Sequence, residues 1–120
     1  MRTDHETLQG QVVDLARMYG WRHLHVRRSI GKGRRWVTTT NVVGWPDLLL
    51  WNGRQPWRHL AIEVKVPPDK VRPEQRAVLD DLSEAGFEVH VVTPDDLASL
   101  AAILRPLADG PRGPAGSALP

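Results

Sequence analysis

The stretch GWPDLLLWNGRQPWRHLAIEVKVPP, residues 44–68, decides the fold. Asp47 to Trp51 is a short apolar run bounded by Pro46 and by Asn52-Gly53, which is the pattern of a buried strand followed by a tight turn. Leu60 to Val66 supplies the neighbouring strand, and Pro67-Pro68 ends it because proline lacks the amide donor a sheet ladder needs. Within that strand Glu63 and Lys65 lie two apart and leave one face, while Leu60, Ile62, Val64 and Val66 are apolar. Charges on a mostly buried strand are tolerated when paired or bound to a metal. Asp47 opens the preceding strand, and with strands roughly 4.8 Å apart its carboxylate comes close to Glu63. Two carboxylates and a lysine converge. The plainer reading of Glu-x-Lys, an ion pair on a solvated sheet face, competes with a site.

Outward from this pair the elements follow by periodicity. Upstream, Thr3 or Asp4 caps a helix in which Leu8, Val12, Leu15, Ala16 and Tyr19 recur at three- and four-residue spacing until Gly20 stops it. Trp21 to Val26 alternates as a strand, and the glycine-punctuated SIGKGRRW and β-prone VTTTNVV read as a hairpin or a mobile arm. Downstream, Pro73 starts a helix running to about Ala85, with Gly86 at its stop and Val78, Leu79, Leu82 and Ala85 as its buried stripe. Phe87 to Val92 is a further strand, and Asp95 or Asp96 opens a last helix through Leu97, Leu100, Ala101 and Leu104. The expected fold is α/β, a central mixed sheet flanked by helices in the order α-β-β-β-α-β-α. It forms one domain over residues 1–108. Residues 109–120, rich in glycine and proline without apolar periodicity, read as a disordered tail.

Composition narrows the chemistry. In 120 residues, 41% hydrophobic and 25% charged, there is room for one core and no indication of disorder. No apolar run approaches the roughly 20 residues a membrane helix needs, and MRTDHETLQG lacks a signal peptide's apolar core, so the expected setting is cytoplasmic. The chain has no cysteine, which leaves oxygen and imidazole as metal ligands and favours hard cations such as Mg2+ or Mn2+. Thirteen of the sixteen basic residues are arginine, whose planar fork suits phosphate. Arg27, Arg28, Lys32, Arg34 and Arg35 fall within nine positions free of acids, a candidate nucleic-acid arm to which Trp36 adds a stacking surface.

The pattern Pro46-Asp47 followed by Glu63-Val64-Lys65 resembles the PD-(D/E)xK nuclease superfamily, with its restriction-endonuclease-like core. GWPDLLLW, AIEVKV, a proline-led helix with RPEQ, and EAGFEVHVVTPDD together resemble its VRR-NUC branch over roughly residues 5–105. That branch includes short phage and bacterial stand-alone proteins, which resemble Holliday-junction resolvases and tend to act as homodimers. The resemblance implies a metal-dependent endonuclease acting on branched or junction DNA. Asp47 and Glu63 then bind the metal, the Val64 carbonyl assists, and Lys65 positions or activates the attacking water. Gln75 continues the sheet-facing stripe of its helix, and the family pattern has it support the site.

The first helix departs from that pattern. Relatives usually carry a glutamate three residues before the position of Leu8, which here is His5, while Glu6 lies one step round the helix. Either His5 replaces the acid or a frayed first turn lets Glu6 reach inward. Glu6 is preferred on chemistry, since carboxylate oxygen suits magnesium better than imidazole does. His23 and His25 share one strand face and read as structural, as Trp45, Trp51 and Trp57 read as core or rim residues. Two other functions remain open. A silent nucleic-acid-binding module would not need Asp47, Glu63 and Lys65 together, and a restriction-type endonuclease would need a recognition region for which 120 residues leave little space.

Overall fold

The computed structural model describes residues 4–26, 28–30, 36–38, 41–53 and 57–105. Helix α1 spans His5–Met18, and its N-cap is Asp4, whose carboxylate accepts the Thr7 amide at 2.7 Å. Strands β1 (Arg22–His25), β2 (Arg28–Ile30), β3 (Trp36–Thr38), β4 (Leu48–Asn52) and β5 (Arg58–Val64) follow. Then come α2 (Pro73–Glu84), β6 (Glu88–Val92), a 3-10 turn (Pro94–Asp96) and α3 (Leu97–Leu104). Glycines at positive φ end the first two helices, Gly20 at 83° and Gly86 at 100°, where a Cβ would be strained.

The main sheet is ordered β1-β4-β5-β6. The first three strands pair antiparallel, and β6 runs parallel to β5 because α2 carries the chain back across the sheet. Within this sheet the order is α-β-β-β-α-β-α, as expected. Between β1 and β4 in the chain, β2 and β3 pair as a separate antiparallel ribbon, with Arg28 opposite Thr38 and Ile30 opposite Trp36. Arg27, Lys32, Arg34 and Arg35 of the expected arm lie outside the described residues, as does the 109–120 tail.

Register decides what each face holds. Leu48, Leu50, Leu60, Ile62, Val64 and Val92 share one face and pack with Leu8, Val12 and Ala16 of α1 and Leu100 and Leu104 of α3, all nearly inaccessible. Each of the leucine, isoleucine and valine side chains contributes on the order of 1.5–3 kcal/mol by leaving water. His23 and His25 stand on this face opposite Leu50 and Leu48, where the Gln9 amide hydrogen-bonds the His25 ring. The other face carries Leu49, Ala61 and Glu63, with Val89 and Val91 on β6, the strand against which α2 packs. Only Gln75 and Leu79 of α2 are fully buried, so its stripe is narrower than its sequence predicts. Asp96 does not cap α3 with its side chain. It turns back to accept from the Thr93 amide at 2.8 Å and hydroxyl at 2.9 Å, which inserts the 3-10 turn before the helix.

Candidate active site

Leu48 pairs with Ile62, so the antiparallel register carried one residue further sets Asp47 against Glu63. Both are buried, Asp47 at 6% exposure and Glu63 at 0%. The Val64 amide donates to Asp47 Oδ2 at 2.8 Å, which anchors the carboxylate to the strand that bears its partner. His5 Nε2 approaches the same oxygen at 3.4 Å from the first turn of α1. Burial pushes the Asp47 carboxyl up, but His5, the neighbouring Glu63 and the Val64 amide outweigh it and hold the group below the usual carboxylate range. Two carboxyls buried face to face on adjacent strands oppose each other's ionisation, and a divalent cation between them would remove that opposition.

Asp47, Glu63 and Lys65 line one cleft of about 460 Å3, with His5 at one side and Gln75 at another. Gln75 is 1% exposed, and its Oε1 accepts the Arg72 amide at 2.9 Å. Its Nε2 has no hydrogen-bond partner among the described residues, an arrangement that costs about 1–3 kcal/mol in a buried donor. Lys65 is half-buried and, among the described residues, makes no ion pair. Expected as the carboxylates' neighbour on one strand face, it stands beside them as a free cation.

Gly44 sets the distance between the two walls. Its φ is 89°, and a Cβ there would lie 2.4 Å from the Glu74 carbonyl oxygen and 2.9 Å from the Gln75 nitrogen. Only glycine allows the loop that delivers Asp47 to touch the first turn of α2. The glutamine and the aspartate are thus placed by one backbone contact.

The structure brings Asp47, Glu63, Lys65 and Gln75 together. Of the two first-helix candidates it brings His5, and the preference for Glu6 is corrected: Glu6 is exposed and lies outside the cleft lining. The helix starts at His5 with its cap intact, so its first turn is not frayed and the ideal wheel holds. For Arg28 and Trp36 the structure gives a place on the ribbon and nothing of their side chains. Sequence reasoning missed Asp69, Lys70 and Arg72, which also line the cleft. Their signal was a charged cluster between the strand-ending Pro67-Pro68 and Pro73, in a segment short enough to return to the strand it leaves.

The donor set fits a hard divalent cation. Two buried carboxylates converge, and there is no thiolate in the chain. Among the described residues no three His, Cys, Asp or Glu side chains form a ready cage. Mg2+ commonly takes one or two carboxylates and keeps several waters, which suits a pair better than a closed set.

A mixed sheet with helices on both faces, and paired carboxylates at the end of two adjacent strands beside a lysine, define a nuclease-type α/β domain. The chain belongs to the VRR-NUC domain family, whose model matches residues 2–96. No curated protein and no solved structure shows significant similarity to it.

Proposed function

We propose that this protein is a divalent-metal-dependent deoxyribonuclease that hydrolyses phosphodiester bonds at Asp47, Glu63 and Lys65. The observation that carries this reading is the burial of two carboxyls that face each other from adjacent strands, beside a lysine left without an ion-pair partner among the described residues. As a purely structural pair they would be costly, because two acids in one dry site oppose each other's ionisation. As ligands of Mg2+ or Mn2+ they are what the site requires.

A divalent cation held by Asp47 and Glu63 would supply a more acidic water and neutralise charge on the phosphate. Asp47 is ionised at neutral pH and held rigidly by the Val64 amide, so it presents a fixed oxygen. Glu63 faces it from the next strand, and the Val64 carbonyl adds an oxygen donor close by. Lys65 places its ammonium on the phosphate or the attacking water, acting there without being a ligand. His5 braces the outer side of Asp47.

Branched or junction DNA, cut by a homodimer in the cytoplasm, is the finer reading. It is supported by the resemblance of the Asp47, Glu63 and Lys65 motif and its flanking segments to junction-resolving members of the family. The basic stretch at 27–35 provides phosphate-seeking charge upstream of the strand that follows Asp47. The test compares four-way junction, flap, single-stranded and duplex DNA with Mg2+, Mn2+ or chelator, alongside sedimentation of the protein. Cleavage that requires the metal and favours the junction is expected. DNA left intact under every condition would reject the assignment and leave the binding-module alternative.

A further inference from the structure

The cleft has a second wall that the carboxylates do not use. Gln75 is oriented by one bond, the acceptance of the Arg72 amide by its Oε1. With the oxygen committed, the NH2 group is turned away from Arg72, and among the described residues Nε2 meets no acceptor although the side chain is 1% exposed. It needs an oxygen that the described protein does not supply.

The neighbours of Gln75 specify which kind of oxygen. Lys70 lines the same cleft, is exposed, and among the described residues takes part in no ion pair. Arg72 also lines it and is tied to Glu74 at 3.0 Å. Asp69 is the acid of this wall. Gln75 lies in the first turn of a twelve-residue helix, where the peptide dipoles favour negative charge. A buried amide donor, a free ammonium and a helix N-terminus together select an anion with several oxygens.

We infer that Gln75 Nε2 and Lys70 form a seat for the phosphate next to the one hydrolysed, so that the cleft grips two consecutive phosphates of one DNA strand. This rests on the nuclease reading above, which assigns the attacked phosphate to Asp47, Glu63 and Lys65. The volume of about 460 Å3 lies in the range of sites that enclose a nucleotide-sized ligand and exceeds what one phosphate fills. Gly44 keeps the seat at a set distance from the carboxylates by locking the first turn of α2 to the loop that carries Asp47.

The probes are thymidine 3′,5′-bisphosphate and thymidine 5′-monophosphate, titrated calorimetrically into the full chain with Ca2+ in place of Mg2+. The bisphosphate should bind about tenfold more tightly than the monophosphate. Lys70→Ala, a change at an exposed position, and Gln75→Glu, an isosteric loss of the donor, should each bring that ratio close to one. Thermal melting verifies the fold of Gln75→Glu, and Lys70→Ala tests the seat independently of it. Equal affinities in the unmodified protein, or a preference that survives both variants, overturn the seat. Metal-dependent DNA cleavage accompanied by equal affinities removes the seat alone. A bisphosphate preference abolished by both variants, in a protein that cuts no DNA, supports the seat and removes only the nuclease reading.

Discussion

Strand β5 carries a polar cluster at each end, and the two are built in opposite ways. At its start, Arg58 donates from Nε and one terminal nitrogen to the two Glu88 carboxylate oxygens, both at 2.7 Å, and from the other to the Ile103 carbonyl at 2.9 Å. Its guanidinium lies 5.3 Å from the centre of the Trp21 ring, and Trp21 Nε1 in turn donates to the Leu104 carbonyl at 2.7 Å. The hydrogen bonds of Arg58 hold Glu88 below the usual carboxylate range. This cluster closes the C-terminal end of α3 onto the sheet. At the far end of the same strand, Glu63 and Asp47 are more deeply buried, yet Lys65 has no counter-ion and Gln75 Nε2 no acceptor among the described residues. A cluster whose donors and acceptors all answer one another is structural, and one with well-held groups left over awaits something from outside.

Changes at the two ends should therefore separate activity from stability. The largest effect belongs to Asp47→Asn and Glu63→Gln. Each should lower DNA cleavage by more than about 100-fold, since loss of even an outer-shell partner of a metal commonly costs 10–100-fold. Melting temperature should hold or rise, because a buried charge has been removed. Near-normal cleavage by either variant would end the proposed mechanism. Lys65→Ala should cut poorly while still binding Mn2+, and loss of Mn2+ binding in it would contradict the role given to the lysine.

Gly44→Ala should affect both properties. The new Cβ meets backbone at positive φ, so about 2 kcal/mol or more of stability should be lost. Folded protein should cleave less well because α2 is pushed from the loop that bears Asp47. Full activity with an unchanged melting temperature would show that the two walls are not coupled through this contact.

At the opposite end, Arg58→Met should cost about 1–3 kcal/mol by stranding the Ile103 carbonyl and Glu88. That lowers the melting temperature by several degrees or more in a domain of this size. Cleavage per folded molecule should not change, and a drop in it at temperatures where the variant is fully folded would erase the distinction between the two clusters.

The smallest effect is the pH dependence of stability from His90, on the α1-facing side of β6. Burial holds its imidazole below the ordinary value of 6.5, and its Nε2 has no partner among the described residues. The unfolded chain therefore binds this proton more readily. The contribution of His90 is complete above pH 6.5 and is lost as pH falls through the lower folded value. Melting curves at pH 7.5 and 5.5 should diverge less in His90→Leu than in the unmodified protein. An identical divergence in the two proteins would remove His90 as the cause.

The pairing of Asp47 with Glu63 and Lys65 was legible in residues 44–68 because everything it depends on is local. Strand alternation, a turn and two prolines set the register, and a period of two leaves little freedom about which side chains share a face. The same holds for Gln75, whose helical phase follows from Pro73 and Leu79. What tertiary structure alone decided was which neighbours meet across the sheet. The intact first turn puts His5 rather than Glu6 on the inner side of α1, but that this side meets Asp47 depends on how α1 crosses the end of β4. Gly44 touches Glu74 thirty residues away, and Trp21 reaches Leu104 across 83. Asp69, Lys70 and Arg72 join the cleft because the chain doubles back after β5. Periodicity reports how a segment divides its faces between core and water. The partner a face receives is settled when the whole core closes, by burial summed over helices and strands distant in sequence.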